Sequence, residues 1–414
     1  MSYLYLEPEI LSRVIGGTSL KKALHDAFLS RVLKDCEKRS VISDVRMMLR
    51  NYQCLAFEQL DLFLFPRDSV PFFYNLVALF HLRKKDVSQD EVKRFYDKGV
   101  RLETSMDPQR DFQVLIKAAI SPFAIPDKAK EIVFVYLSLV YEVPAFLVGD
   151  LSSVFAKKDL IRVLSSYWKR KKECYLLSPF SKEEKRINLD PRLSSLLLSS
   201  KRRLYFSSQT NPYPDDLIRC DYAMELSLED VLLSSLRPNV LLSSFSLPLV
   251  LSLGEKTSES FGRLVHVSVK DDREKETVEA AKEKYSLSYL HPVSSSSLSS
   301  SLESRSMDLV YVHSLDTGSC DTASTFVLPS LRKESLSVAS DRMLDHLVRY
   351  SGYVKKNGYL VLLSSSLSKE ETVDVHNRFL SLKGKEFSLV LSRYVLFDEA
   401  DTDCRYFMIF RRKC

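Results

Sequence analysis

Two apolar runs near the C-terminus limit the fold more than any other feature. The first, MDLVYVHSLDTG (307–318), ends in a polar loop with a single glycine. The second, NGYLVLLSSSLSKEE (357–371), also ends in a polar loop. Between them Leu344, Leu347, Val348 and Val354 recur at helical spacing, followed by the turn-forming Lys356-Asn357-Gly358. Strand, loop, helix, turn and strand make a βαβ unit. Its two loops lie at the C-terminal ends of parallel strands, where open α/β sheets bind ligands. A reaction centre in this chain is therefore expected around residues 313–318 and 364–371.

Ahead of that unit the chain changes character. Residues 1–145 are poor in glycine, and apolar residues recur every three or four positions, as in Leu20, Ala23, Leu24, Phe28 and Val32. This spacing predicts an all-α bundle, with Thr18 or Ser19 capping the helix after Gly16-Gly17. Further helices are expected over about 42–63, 70–82, 88–100, 109–120 and 127–141, and one more over 157–168. At 414 residues the chain is long enough for two or three domains.

The net charge of +6 is compatible with a polyanionic partner. The cations cluster: Lys169, Arg170, Lys171 and Lys172, then Lys182 to Arg186, then Lys201, Arg202 and Arg203. Tyr167, Tyr175, Phe180, Tyr205 and Phe206 alternate with them. Cations neutralise phosphates and aromatic faces stack on unpaired bases, so these runs are candidate RNA contacts. The plainer reading is a set of solvated loops and helix ends. Seven scattered cysteines without a CxxC pair point to free thiols in a reducing cytoplasm, not to a disulfide frame or a zinc site. MSYLYLEPEI has acids where a secretory signal would be basic and then apolar. The longest uncharged run, Pro238 to Gly254, is short for a membrane span. Serine-leucine runs recur at 194–200, 232–235, 241–244 and 294–301, the last read as a flexible surface loop.

Residues across most of the chain resemble the RsmB/Sun/NOP-type RNA (cytosine-C5) methyltransferases. The family pattern FDxVLxDAPCSGTG is matched by Met307-Asp308-Leu309-Val310-Tyr311-Val312, with Asp308 as a scaffold acid before the strand. The family's Pro-containing basic loop is matched by Val327-Leu328-Pro329-Ser330-Leu331-Arg332. The family's KPGGxLV is matched by Lys355-Lys356-Asn357-Gly358-Tyr359-Leu360-Val361. Gly-Gly-Thr-Ser-Leu-Lys-Lys-Ala-Leu at 16–24 and Ser43 to Arg50 look like the NusB-type RNA-binding domain of bacterial members. The segment 141–148 is similar to their YSxPxWLV linker. The resemblance implies a multi-domain protein: a NusB-like helical domain over 1–145, a small basic RNA-recognition subdomain over 146–219, and an α/β Rossmann-like methyltransferase domain over 220–414. It implies S-adenosylmethionine as cofactor, a ribosomal or transfer RNA as partner, a cytoplasmic monomer, and neither metal nor membrane.

The family's chemistry positions are altered throughout. Its two cysteines, the nucleophile and the one that assists product release, fall on Ser365 and Asp316. Serine is a poor replacement, because its hydroxyl stays protonated without an activating base. The cofactor turn LDLCAAPGGKT becomes Val240-Leu241-Leu242-Ser243-Ser244-Phe245-Ser246-Leu247, without glycine, acid or lysine. Glycine there lets backbone approach the cofactor without a Cβ clash, so bulky residues at Phe245 and Leu247 fill its space. The ribose-binding acid falls on Ser268, with Asp271 and Asp272 further along, and the strand-end acid falls on His313. The family positions for the cofactor are thus Ser244, Leu247, Ser268 and His313, none of them intact. Lys369-Glu370-Glu371 reads as the first turn of a helix. His313, Asp316 and Ser365 could form a hydrolytic trio, but the sequence offers no nucleophile elbow. His313 and Asp316 lack a third ligand for a metal. The expectation is a catalytically degenerate RNA-binding homologue. The alternative is an active RNA (cytosine-5) methyltransferase with displaced motifs, for which Cys320 is the nearest loop thiol.

Overall fold

The computed structural model describes the chain except residues 1, 30, 63–68, 101–107, 121–124, 126, 170, 179, 199–202, 209–212, 215, 232–237, 256–263, 314, 320–330, 398, 400–401 and 403. Arg170, Lys201, Arg202 and Cys320, together with the stretch 327–330 of the basic-loop match, lie outside the described residues. The chain divides into two compact units, Met1–Trp168 with Asp321–Lys333, and Lys169–Cys320 with Glu334–Cys414.

The described part of the first unit is helical. Leu6, Ile10, Leu11 and Val14 of the helix Leu6–Ile15 are buried with Leu76, Val77 and Leu79 of the helix Val70–Lys84. Ser19, not Thr18, accepts a capping bond, from the backbone N–H of Lys22 at 3.4 Å. The helix expected over 42–63 is two, Asp35–Arg50 and Tyr52–Leu62. Asn51 ends the first by donating its side-chain amide to the Met47 carbonyl at 2.8 Å, the local bonding that makes asparagine favour helix ends. The helix expected over 127–141 likewise breaks at Ile132, whose backbone is extended. The expected helix over 157–168 ends at Ser166.

Buried Glu7, Asp44 and His81 form a polar set in this bundle, joined by Lys84 and Asp86 at its exposed edge. His81 bonds Glu7 through Nε2 at 2.7 Å and Asp86 through Nδ1 at 3.1 Å, and Lys84 bonds Asp44 at 2.7 Å. Glu7, Asp44 and His81 bring ligand atoms within 4.8 Å of one another, and the Lys84 ammonium already supplies the cation beside Asp44. Burial pushes the Glu7 carboxyl up to about 7.

The second unit contains two sheets. Four antiparallel strands, β1 (Glu173–Leu177), β2 (Ser194–Leu197), β3 (Arg203–Ser207) and β4 (Leu217–Cys220), stand in the order β2-β3-β1-β4. The large sheet is built from β5 (Asn239–Leu242), β6 (Leu264–Val269), β7 (Leu290–Ser294), β8 (Met307–His313), β9 (Val354–Ser364), β10 (Phe387–Val395) and β11 (Arg405–Arg412), in the order β10-β11-β9-β8-β5-β6-β7. The five strands β5 to β9 run parallel, and the β10–β11 hairpin closes the edge antiparallel. β8 reads as an unbroken apolar run because both of its faces are covered: Leu309 and Tyr311 enter one core, Met307, Val310 and Val312 the other. From β5 the chain winds outward to β6 and β7, then returns to β8 on β5's other side. The β5/β8 boundary is therefore the switch point, with its crevice at the strands' C-terminal ends.

The organising βαβ unit is present, with local corrections. Leu344, Leu347 and Val348 lie on the helix Lys333–Ser351, but Val354 is the first residue of β9. Lys356-Asn357-Gly358 is not the turn; it lies within β9, where Asn357 is left-handed (φ 62°) and the register against β8 shifts. A Cβ at Gly358 would stand 2.9 Å from the Met307 carbonyl oxygen, so the close approach of β8 demands glycine here. Asp308 is inside β8 rather than before it. Its buried carboxylate accepts the Asn239 backbone N–H at 3.0 Å and pairs with Lys355, pinning β5 and β9 to β8. The serine stretch 294–301 is not a loose loop: Leu298–Ser301 forms a helical turn, with Leu298 anchored in the core.

Candidate binding cleft at the strand ends

A cleft of about 370 Å³ opens where the switch point requires it. Ser246 and Pro248 reach it from the turn after β5, His313 from the end of β8, and Leu363 and Ser365 from the end of β9. The opposite wall comes from the small sheet and its flanking residues: Lys172, Glu173 and Cys174 around β1, then Arg219, Cys220 and Asp221 around β4. Arg405, at the start of β11, completes it. Its guanidinium donates to Asp221 at 2.7 Å, while the same carboxylate caps the helix Tyr222–Glu229 through the Ala223 and Met224 N–H groups.

The two positions that the resemblance assigns to cysteines are adjacent but play different parts. Ser365 lines the cleft. Asp316 is committed to structure: its carboxylate accepts the Ser364 hydroxyl at 2.7 Å, the Ser365 N–H at 2.6 Å and the Gly318 N–H at 2.9 Å. Glu371 is not in a helix's first turn, since that helix begins at Val373. It is fully buried and accepts the Thr317 N–H and hydroxyl and the Ser366 hydroxyl. Burial pushes its carboxyl up to about 7. The two polar loops of the βαβ unit are thus sewn together by carboxylates and serines.

His313, of the possible hydrolytic trio, has its ring tilted against Tyr311, with centroids 5.4 Å apart. Its Nδ1 is buried and makes no hydrogen bond among the described residues. Burial lowers its pKa, which favours the neutral imidazole. Asp316 faces Ser364 and Ser365, so no Asp-His relay forms, and the His313–Asp316 pair does not converge on a metal site among the described residues.

The cofactor positions fit S-adenosylmethionine poorly. Phe245 and Leu247 pack against the sheet's core, and Leu247 already begins the helix Leu247–Glu255. Ser243, before Ser244, uses its hydroxyl to accept the His313 N–H at 2.9 Å, closing the turn onto β8. Ser268 is buried and bonds Tyr350. Asp271 caps the helix Asp272–Lys284, its Oδ1 accepting the Glu274 N–H at 2.9 Å.

The basic runs divide as well. Lys172 faces the cleft, and Lys169 and Arg203 are exposed. Lys171 instead sits over the Phe397 ring, 3.9 Å from its centroid. Four of the five expected stacking aromatics are core: Tyr167, Tyr175, Tyr205 and Phe206 are buried, and only Phe180 is exposed. The aromatics between the basic runs are core because β1 and β3 are covered on both faces, Cys174, Leu176, Leu204 and Phe206 entering one cluster and Tyr175 and Tyr205 another. Cys174, Arg219, Cys220, Asp221 and Arg405 carry no local motif; only the β1–β4 register and the return of β11 bring them to the cleft.

The sheet order, with its antiparallel last pair and its cleft at the switch point, defines the class: a Rossmann-like fold of the S-adenosylmethionine-dependent methyltransferase type, preceded by helices. Solved structures agree. The solved structure of PH0851 is similar over 99% of this chain and 98% of its own, with a TM-score of 0.66 at 12% identity. That of a methyltransferase homolog protein from Pyrococcus horikoshii matches 68% of this chain and 99% of its own, with a TM-score of 0.53 at 12% identity. No protein-family model and no curated protein matches by sequence.

Proposed function

We propose that this chain is an RNA-binding homologue of the RNA (cytosine-C5) methyltransferases that has lost methyl transfer. The observation that carries the reading is the turn after β5, where the cofactor's methionine end belongs: it offers no glycine, acid or lysine, and Phe245 and Leu247 pack against the core there. Ser365 at the nucleophile's position and Asp316 locked to the Ser365 backbone support the same conclusion. The partner is a ribosomal or transfer RNA, drawn to Lys169, Arg170 and Lys172 and to Lys201, Arg202 and Arg203, with Lys171 held over the Phe397 ring instead. Lys172 joins Arg219 and Arg405 at the cleft itself. The helical unit serves as a NusB-like RNA-binding domain, and the protein works as a cytoplasmic monomer.

Calorimetric titration of the purified chain with S-adenosylmethionine tests the loss of catalysis. No heat of binding at micromolar ligand is expected; micromolar binding overturns it. Ultraviolet crosslinking to total ribosomal and transfer RNA tests the partner, and adducts are expected within residues 165–206. The second reading, an active enzyme, is favoured by one observation: the thiols of Cys174 and Cys220 line the cleft that Ser365 also lines. The calorimetric result separates the two.

A further inference from the structure

The wall of the cleft opposite Ser365 holds a pair of thiols that the proposed RNA-binding function does not use. Cys174 on β1 and Cys220 on β4 are direct partners in an antiparallel register. Residues so paired place their Cβ atoms within a few ångströms, on the same face of the sheet. Their sulfurs are 3.3 Å apart, and both residues line the cleft. The other described cysteines are placed differently: Cys36 and Cys414 are exposed, Cys404 is buried, and the Cys54 thiol donates to the Leu139 carbonyl.

We infer that Cys174 and Cys220 are a modification site, a dithiol that a hydroperoxide converts to a reversible disulfide in the cleft wall. The geometry needs little rearrangement. The sulfurs must close from 3.3 Å to the roughly 2.05 Å of a disulfide, and opposed strand positions already hold the Cβ atoms near the separation it requires. A peroxide is small enough to enter a cavity of about 370 Å³.

The chemistry balances in two steps. One thiol, as its thiolate, attacks a peroxide oxygen; the O–O bond breaks, a sulfenic acid forms and water leaves. The second thiol then attacks that sulfur; the S–S bond forms, the S–O bond breaks and a second water leaves. Two electrons pass from the sulfur pair to the peroxide. Burial and the neighbouring Cys174 thiol push the Cys220 thiol well above its ordinary range. Attack through Cys220 is therefore slow at neutral pH and accelerates as pH rises.

The test uses the full chain carrying Cys36→Ser and Cys414→Ser, which removes the exposed thiols that cross-link molecules. It is incubated with hydrogen peroxide, blocked with an alkylating reagent and digested for mass spectrometry. The expected product is one linked peptide pair joining Cys174 to Cys220, lighter than the reduced pair by two hydrogens and restored by dithiothreitol. The inference is overturned if both cysteines remain alkylatable after exhaustive peroxide treatment. It is equally overturned if either advances to sulfinic acid without a linked peptide. Adding Cys174→Ser is expected to abolish the link and leave Cys220 accumulating higher oxides. Because the first readout needs no variant at the pair, a folding defect in this one does not affect it.

Discussion

The carboxylate of Asp316 accepts the backbone N–H of Ser365 at 2.6 Å, joining the loop after β8 to the loop after β9. These are the positions at which the resembled family carries its two cysteines. In this chain the pair has become a tether: one side chain is a structural acceptor and the other residue contributes its backbone.

Asp316→Ala should therefore act on stability. It leaves the Ser365 and Gly318 N–H groups and the Ser364 hydroxyl without their acceptor. Removing a buried acceptor of this kind costs about 1–3 kcal/mol. Thermal unfolding should report a drop of several degrees, whereas Asp316→Asn, which keeps one carbonyl oxygen, should lose less.

Restoring the cysteines should not restore chemistry. Asp316→Cys with Ser365→Cys returns a thiol at both positions, but the turn after β5 still lacks glycine, acid and lysine. Transfer of a labelled methyl group from S-adenosylmethionine to RNA should stay at background in this double variant. Turnover above background would place the cofactor elsewhere and remove the packed-turn argument.

The buried carboxyls should contribute stability at pH 5 that is lost by pH 8, opposing His266, His313, His346 and His376, whose lowered pKa values act the other way. Burial raises Glu7, Glu142 and Glu371 from 4.5 to about 7. His81 is raised too, because its bonds to Glu7 and Asp86 outweigh its burial. A raised folded-state pKa gives stability that is complete below the unfolded value and is lost as pH rises through the folded one. For the carboxyls that window runs from 4.5 to about 7. Across it the urea midpoint of Glu7→Gln should fall less, or rise more, than that of the unaltered protein.

Gly358→Ala should destabilise the large sheet. The added methyl would meet the Met307 and Asp308 carbonyl oxygens at 2.9 and 3.0 Å, and both belong to the backbone of a central strand that cannot swing aside. Forced overpacking of this kind costs typically about 1–3 kcal/mol. The urea midpoint should drop accordingly.

The fold was readable where period and flanking loops agreed. β8 and β9 are long apolar runs bounded by polar loops, and the helix between them carries Leu344 and Leu347 at helical spacing. What misled was chemistry that depends on neighbours. Lys356-Asn357-Gly358 has the composition of a turn but serves a strand whose partner approaches too closely for a side chain. Glu371 has the look of a helix-start acid, yet three donors from the loops draw it inside. Tyr175 and Tyr205 lie in the sequence among cations yet are core, because β1 and β3 are covered on both faces. The cleft's second wall, from Cys174 to Arg405, depends on strand register between segments as far as 184 residues apart, the separation of the Asp221–Arg405 pair. No local pattern encodes it.

The basic run should separate into two kinds of lysine. Lys169 is exposed and Lys172 lines the cleft, so both are placed to meet phosphate. Changing each to Ala should weaken RNA binding similarly across sequences. It should also lower the slope of log K against log salt by about 0.7 for each phosphate of a single strand that is no longer neutralised. Lys171 is held over the Phe397 ring. Its replacement by Ala should leave the salt slope nearly unchanged and cost about 0.5–1 kcal/mol of stability, the worth of a cation–π interaction at an exposed site. Filter binding over a salt series, run beside thermal unfolding on the same variants, distinguishes a lysine that meets RNA from one that holds the fold.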